Sequence, residues 1–416
     1  SALGQPLAEI RRIGMDQNSG VEFEPFVAQV DSPAAIIFTS GSTGSAKGVL
    51  YRHGNFAEQV TRLREFYDVQ PGEVDVSCFP LFGLFNAAMG VTTVFPKMDF
   101  SRPARVDPRD IVAAVNDWHA TQAFGSPAVW NLVGRYCQEH SVRLPTLQRV
   151  LSAGAPVAAH VLDRMTKCIH AAGTMHTPYG ATEALPVASI SAAEVLRSTI
   201  ERTRRGEGVC VGSRFGGIVW KVIHIHDGPI ATLGDAEELP DGQIGELIVR
   251  GPTVTTEYVT RIEANAIAKI RDGNGFWHRM GDVGYLDQQN RFWFCGRMSQ
   301  RVMIDDGIHE TRTLFTIPCE AIFNRHQAVF RSALVGVVVA GQRRAAIVVE
   351  PLSGKMPRGR RGREELIEQL RELGRSSGLT RSIEHIFIHK SLPVDVRHNV
   401  KINREQLAVW TASKVR

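Results

Sequence analysis

The sequence predicts an α/β protein whose main sheet is largely parallel, followed by a more β-rich part. Gln122–Ala128 and Val150–Pro156 each run from an apolar strand into a turn, and Ala159–His170 has the apolar spacing of a helix. This alternation of strand, turn and helix is typical of parallel sheets covered by helices. Farther along, Val219–His226 and Ile244–Arg250 read as strands because Asp, Gly and Pro residues bound them.

The same reasoning assigns the other elements in chain order. Helical spacing of apolar residues predicts helices at Asn55–Phe66 and Ile111–His119. Helices are also expected at Glu364–Leu373 and in the Arg- and Glu-rich segment Ile190–Gly206, which reads as solvated. Short apolar runs predict strands at Ala34–Phe38, Ser332–Val339 and Ala345–Glu350. Cys78–Phe85 reads as an apolar turn, and the basic stretch Lys355–Arg363 reads as a solvated loop.

Composition limits the classes of function. A chain of 416 residues has room for two or three domains, and 43% apolar with 22% charged residues is ordinary for a globular protein. A formal charge of +5 without a basic stripe argues against a nucleic-acid partner. No apolar stretch reaches the length of a membrane span, about 18 residues. The six cysteines are scattered without a C-x-x-C pair, which favours a reducing cytoplasm over disulfides or a zinc site.

A glycine- and hydroxyl-rich loop, Thr39–Gly48, follows the first predicted strand. Its glycines let backbone N–H groups face a ligand, and its hydroxyls and Lys47 add further donors, an inventory that suits a polyphosphate. It differs from the P-loop, in which Gly precedes and Ser or Thr follows the lysine, because here Ala46 precedes Lys47 and Gly48 follows it. The alternative is a solvated Gly/Ser turn. The preceding strand and the lysine favour phosphate binding.

Two later segments carry groups suited to a nucleotide. In His176–Glu183, Tyr179 can stack on a purine, Thr182 can donate to phosphate, and Glu183 can hold Mg²⁺. The alternative there is a plain turn with an exposed glutamate. In Phe276–Asp287, an aspartate at the end of a strand can accept hydrogen bonds from both ribose hydroxyls.

Taken in order, these three segments resemble the signatures of the adenylate-forming superfamily, which includes acyl-CoA synthetases, firefly luciferases and peptide-synthetase adenylation domains. The loop departs only at Ala46, where proline is usual. The resemblance implies that ATP and Mg²⁺ activate a carboxylate as an acyl-adenylate. It implies the following nucleotide-binding residues: Thr39, Ser40, Gly41, Ser42, Thr43, Gly44, Lys47, Gly154, Ala155, Tyr179, Gly180, Asp282 and Arg297.

The resemblance also implies three catalytic residues, Thr182, Glu183 and Lys401, with Glu183 as the metal ligand. Lys401 stands in Leu392–Arg404, where the family has Pro-x-x-x-x-Gly-Lys-Ile-x-Arg. In the family this lysine neutralises the carboxylate and the α-phosphate during adenylation. Val400 replaces the usual glycine, and the spacing from proline to lysine is two residues longer.

For the domains, the resemblance implies a large domain of parallel α/β subdomains and a small β subdomain over 1–298, hinged to a small α+β domain over 299–416. The hinge falls at Ser299. The family carries a much longer segment before the phosphate loop, which implies that 1–298 is incomplete at its N-terminus. Gly307 resembles a glycine that lines a pantetheine tunnel, but the longer spacing over Ile308–Pro318 argues against thiol access.

A narrower resemblance is to olefin-pathway β-lactone synthetases. It rests on Asp395–Ile402, on Gly296–Arg301 and on Phe82 with Gly83, which stands where related enzymes have a gating histidine. It implies a 2-alkyl-3-hydroxy fatty acid as substrate, a β-lactone, AMP and pyrophosphate as products, and assembly with other olefin-pathway enzymes. Two alternatives stay open: a fatty acyl-CoA or acyl-AMP ligase, and a non-catalytic nucleotide-binding scaffold. The sequence names no base for the β-hydroxyl.

Overall fold

The computed structural model describes residues 28–39, 46–305, 311–394 and 402–415. Its strands are β1 (Pro33–Phe38), β2 (Gly48–Arg52), β3 (Val74–Ser77), β4 (Thr92–Val94), β5 (Gln122–Gly125), β6 (Arg149–Ser152), β7 (Thr174–Ala181), β8 (Ala184–Ser191), β9 (Val209–Cys210), β10 (Ser213–Arg214), β11 (Val219–Ile223), β12 (Gly245–Arg250), β13 (Lys269–Asp272), β14 (Gly275–Leu286), β15 (Phe292–Arg297), β16 (Val302–Asp305), β17 (Thr311–Leu314), β18 (Val329–Val339), β19 (Gln342–Pro351) and β20 (His385–Ile388). Its helices are α1 (His53–Tyr67), α2 (Phe82–Met89), α3 (Pro108–Asp117), α4 (Pro127–His140), α5 (Ala159–Cys168), α6 (Ala192–Glu194), α7 (Ile200–Arg204), α8 (Ala264–Ala268), α9 (Thr316–Phe323), α10 (Gly359–Arg375) and α11 (Arg404–Ala412). A π-helical turn, Val195–Thr199, joins α6 and α7.

A seven-stranded sheet in the order β10-β8-β7-β6-β5-β3-β4 forms the centre of the large part of the chain. The pairs from β4 through β7 are parallel, as the alternation of strands and helices predicts. Helices α3, α4 and α5 cover one face, around the buried ring of Trp130. Asp107 caps the N-terminus of α3 and Ser126 that of α4, each followed by proline at the first helical position. The α/β prediction is therefore confirmed.

A second, antiparallel sheet contains β11, β12, β14, β15 and β9, with β13 paired to β14. Its inner face packs on α1, α2 and the other side of the seven-stranded sheet through one apolar cluster that includes Phe85, Val249 and Phe292. Strands β1 and β2 form a separate antiparallel hairpin, whose loop is the glycine-rich segment. The hairpin and the two sheets meet near Glu183, where Tyr258 contacts both Glu183 and Lys47 at the end of the glycine-rich loop.

The C-terminal part has its own sheet, β18-β19-β20, and a smaller pair, β16-β17. Separate apolar clusters fill the two faces of the three-stranded sheet, one under α9 and α10 and the other under α11. Helix α9 approaches β15 so closely that a Cβ on Gly296 would lie 2.3 Å from the Thr316 hydroxyl oxygen. The sequence turns between β15 and β16 at Met298–Gln300. The division into 1–298 and 299–416 stays a prediction.

Two sequence-based assignments of secondary structure were wrong. The second half of Cys78–Phe85 is the first turn of α2, because Phe82, Phe85 and Met89 bury one helical face. The basic stretch before residue 364 is not all loop, since α10 begins at Gly359. Its early arginines pair with glutamates four residues later, a contact that supports a helix. Short apolar runs and charged runs fit more than one element, so periodicity alone did not decide either case.

None of the helices in the described ranges is both long and apolar enough to cross a lipid bilayer.

Candidate active site

Three predicted residues from two sheets meet in one cluster: Tyr179, Asp282 and Arg297. The Asp282 carboxylate accepts a hydrogen bond from Arg297 Nη1 at 2.8 Å and another from the Tyr179 hydroxyl. Arg297 also donates to the carbonyl of Met280 at 3.0 Å. Asp282 and Arg297 are direct cross-strand partners on β14 and β15. The carboxylate is thus fixed from both sides before any ligand arrives.

Asp282 reaches this position through an irregularity in β14, and not through a strand end as the sequence reasoning assumed. Val283 pairs with Glu246, whereas the next pair on β12 joins Arg279 to Ile248. The three residues between them bulge out, and Gly281 takes a φ of 65°, which suits glycine. The bulge turns the carboxylate toward Tyr179 while β14 continues to Leu286.

Electrostatics favour Tyr179 as donor and Asp282 as acceptor. Burial and the charge of Asp282 raise the pKa of the Tyr179 hydroxyl well above its usual value. Burial also raises the pKa of Asp282, while Arg297 and the Tyr179 hydrogen bond oppose that rise. A carboxylate has about four lone-pair sites. Asp282 therefore retains capacity for the ribose hydroxyls of a nucleotide.

The second cluster contains Glu183, Tyr258 and Lys47. Thr182 and Glu183 form the connection between β7 and β8. The Tyr258 hydroxyl donates to Glu183 Oε1 at 2.5 Å, and Lys47 Nζ lies 4.6 Å from the centre of the Tyr258 ring. The charge of Glu183 raises the pKa of both Asp282 and Arg297, so the second cluster lies close to the first.

Tyr258 belongs to a segment, residues 253–260, that we call the strap. The strap pairs with the phosphate-loop hairpin, since Gly48 N donates to Thr260 Oγ1 at 2.7 Å and Leu50 N donates to the Glu257 carbonyl at 3.1 Å. Thr255 donates to the Glu183 carbonyl from its backbone N–H at 2.9 Å and from its hydroxyl at 3.0 Å. The strap therefore ties the hairpin to the Glu183 turn.

The remaining predicted residues are placed as follows. The Thr182 carbonyl accepts from the Tyr51 hydroxyl at 2.6 Å. Gly154, with a φ of 96°, and Ala155 follow the carboxyl end of β6, next to β7. Gly180 is required in β7, because a Cβ there would lie 2.6 Å from the Ala184 carbonyl oxygen.

The base of the phosphate loop is closed by its own ends. Thr39 N donates to the Lys47 carbonyl at 3.0 Å, and Lys47 N donates to Thr39 Oγ1 at 3.1 Å. The other predicted loop residues lie outside the described residues, as does Lys401. They are Ser40, Gly41, Ser42, Thr43 and Gly44. Their roles stay predictions.

Comparison with known proteins identifies the family of this chain. A family model described as "AMP-binding enzyme" matches residues 7–259, more than half of the chain. The chain belongs to the AMP-binding enzyme family. An olefin beta-lactone synthetase from Stenotrophomonas maltophilia is 42% identical over 406 residues, covering 96% of this chain and 71% of that protein. One from Xanthomonas campestris pv. campestris is 41% identical over 418 residues, covering 99% and 72%.

The fold is shared with solved members of the AMP-binding enzymes. The crystal structure of ATP-bound MatB from Rhodopseudomonas palustris matches with a TM-score of 0.72 at 20% identity. The match covers 95% of this chain and 71% of that one. At this level of identity the likeness concerns the fold alone.

Sequence reasoning missed a pair beneath the strap of this AMP-binding enzyme, the half-buried Lys269 and the buried His278. They are cross-strand partners on β13 and β14. Lys269 Nζ donates to the Thr255 carbonyl and lies 4.7 Å from the centre of the Phe276 ring. His278 is 2% exposed, and among the residues that the structure describes its Nδ1 finds no hydrogen-bond partner. Burial and the charge of Lys269 keep the His278 pKa well below its usual value. A lysine that begins a strand gives no sequence signal of burial.

Lys269 gives folding stability a specific pH dependence. Burial lowers its pKa from 10.5 to about 7, although the charges of Glu183 and Glu257 oppose the shift. Below about pH 7 Lys269 is charged in the folded protein, and the cost of burying that charge is present in full. Between about pH 7 and 10.5 the unfolded chain binds more protons than the folded protein, so the free energy of unfolding rises with pH. We expect Lys269→Met to remove this rise. Urea unfolding of both proteins across the window tests it, and parallel stability curves would contradict the assignment.

The described residues fit Mg²⁺ only together with a nucleotide. Within the described ranges no three His, Cys, Asp or Glu side chains form a metal-binding group. Mg²⁺ commonly uses one or two carboxylates together with waters and substrate phosphates. Glu183 supplies one carboxylate beside the phosphate loop, and Tyr258 engages only its Oε1. The donor set suits a metal that arrives with ATP.

Proposed function

We propose that this AMP-binding enzyme is an ATP-dependent β-lactone synthetase of olefin biosynthesis, acting on a 2-alkyl-3-hydroxy fatty acid. One observation carries the proposal: a cation at the phosphate loop, a carboxylate at the β7–β8 turn and the buried Asp282 paired with Arg297 adjoin. Those groups match the triphosphate, the metal and the ribose of MgATP. The two relatives named olefin beta-lactone synthetase, at 42% and 41% identity, support the choice of product.

In the first step the substrate carboxylate oxygen attacks the α-phosphorus of ATP. The bond from that phosphorus to the bridging oxygen breaks, and pyrophosphate leaves. Asp282 and Arg297 orient the ribose, while Lys47 and the loop hydroxyls hold the departing pyrophosphate. Mg²⁺ on Glu183 supplies Lewis-acid charge stabilisation when bound. Lys401 neutralises the carboxylate and α-phosphate in this proposal, as its position in the motif implies.

In the second step the β-hydroxyl oxygen attacks the acyl carbon, and AMP leaves as the four-membered ring closes. The hydroxyl proton passes to solvent or to a base that the described contacts do not identify. Nucleophile and electrophile lie on one molecule, so the enzyme contributes by holding them in an attack geometry. The proposal includes assembly with other enzymes of olefin biosynthesis in a reducing cytoplasm, in keeping with the scattered cysteines.

Product analysis tests the proposal. We expect the protein, incubated with MgATP and a racemic 2-alkyl-3-hydroxy acid without CoA, to give a β-lactone, AMP and pyrophosphate by NMR. The matched substrate without the 3-hydroxyl should give pyrophosphate but no lactone. Acyl-CoA as the sole product in the presence of CoA would identify an acyl-CoA ligase instead. A protein that releases no pyrophosphate would be a nucleotide-binding scaffold and not an enzyme. Pyrophosphate release that Lys401→Ala leaves unchanged would remove Lys401 from its proposed role.

A further inference from the structure

Tyr258 lies between Lys47 and Glu183, the two charged residues of the second cluster. It is 3% exposed, and its backbone is held on both sides: its N–H donates to Asn265 Oδ1 at 2.8 Å and its carbonyl accepts from Asn265 Nδ2 at 3.0 Å. It also forms an isolated bridge with Val49 of the hairpin. These contacts fix the ring independently of any ligand.

The Tyr258 hydroxyl contacts only one of the two carboxylate oxygens of Glu183. It donates to Glu183 Oε1, and within the described ranges no donor contacts Oε2. The second carboxylate oxygen is thus left for a cation.

The ring also separates two opposite charges. Lys47 lies over the ring at a distance typical of a cation–π contact, within about 6 Å. Among the described residues, Lys47 and Glu183 form no ion pair, although both contact Tyr258. A direct pair would satisfy each charge with the other and leave neither for a ligand. The ring keeps Lys47 available for phosphate and Glu183 available for metal.

We propose that Tyr258 is a positioning residue that aims Glu183 at a divalent cation and prevents Lys47 from pairing with it. This inference rests on the proposed use of MgATP, and it adds a residue outside the three sequence signatures. Tyr258 touches no reacting atom in this scheme. Its effect reaches the ligand through the orientation of Glu183 and the position of Lys47.

Metal binding, not turnover, provides the test. Mn²⁺ serves as the probe, with its free signal followed by EPR in the presence of a non-hydrolysable ATP analogue. Tyr258→Phe keeps the ring and removes the hydroxyl, so we expect the Kd for Mn²⁺ to rise about 10- to 100-fold. Metal-free affinity for the analogue should stay at the parental value. Tyr258→Leu removes the spacer, so both affinities should fall.

The control is Tyr67→Phe. Tyr67 is a similarly buried tyrosine whose hydroxyl donates to Ser189 Oγ at 2.9 Å, away from Glu183. It should bind Mn²⁺ like the parent, and circular dichroism checks that every variant is folded. Parental Mn²⁺ affinity in Tyr258→Phe overturns the inference, as does a parent protein that binds no Mn²⁺ with the analogue. Loss of Mn²⁺ affinity in a protein that makes no lactone would refute the proposed product and leave the inference standing.

Discussion

Replacing Arg279 with methionine will lower the free energy of unfolding by about 3–5 kcal/mol, the usual cost of breaking a buried ion pair. The side chains of Arg279 and Glu246 are 2% and 1% exposed. Arg279 donates to Glu246 Oε2 from Nε at 3.0 Å and from Nη2 at 2.6 Å. It also donates to the carbonyls of Gly228, Ile267 and His226. Methionine leaves Glu246 buried with no cation, and burial already raises the Glu246 pKa.

Chemical denaturation monitored by fluorescence measures this loss. The matched control is Arg250→Met, because Arg250 pairs with Asp272 at 2.8 Å but the two side chains are 47% and 34% exposed. An exposed pair contributes at most about 1 kcal/mol. Changing Glu246 to leucine together with Arg279→Met should recover part of the loss, since an apolar pair leaves no buried charge. Equal losses for Arg279→Met and Arg250→Met would contradict this account.

Glu183→Gln will slow pyrophosphate release by about 10²-fold, which corresponds to about 3 kcal/mol of transition-state stabilisation. Glutamine keeps the shape of the side chain and an oxygen that can accept from Tyr258. It removes the negative charge that is proposed to hold Mg²⁺. The folded structure should therefore survive, and the loss should appear in the rate of ATP–pyrophosphate exchange with the acid substrate.

Glu257→Gln is the matched control for that experiment. Glu257 lies one residue before Tyr258, but its carboxylate pairs with Arg52 at 3.1 Å and is 44% exposed. It should retain parental exchange. A Glu183→Gln protein that matches this control at every Mg²⁺ concentration would show that the carboxylate does not hold the metal.

The sequence predicted the strands and helices whose apolar residues follow a regular local spacing. The parallel strands β5 and β6 and the helices α3 and α5 were predicted from the apolar residues of single short segments. Glu183, Asp282 and Arg297 were found because each lies in a short motif. The structure places them in adjoining clusters, while their binding roles stay predictions.

The rest depended on contacts that no local pattern encodes. Tyr258 contacts Glu183, which lies 75 positions earlier in the sequence, and nothing in the local sequence around Tyr258 indicates this contact. The bulge that turns Asp282 arises from the pairing of β14 with β12, so the aspartate looked like a strand end in the sequence. Lys269 donates to the Thr255 carbonyl of the strap, a contact that its own segment does not indicate.

The contact between Gly48 and Thr260 has a consequence for how the protein is made. These residues are 212 positions apart, yet hydrogen bonds to the strap and a shared apolar cluster of Val49, Tyr51, Tyr258 and Ala268 hold the β1–β2 hairpin in place. An isolated two-stranded hairpin is marginal in water. During synthesis, the phosphate loop therefore leaves the ribosome before residue 268 and gains its support only once that residue has followed. We expect nucleotide affinity to appear late in the nascent chain, and contacts of such long range slow folding.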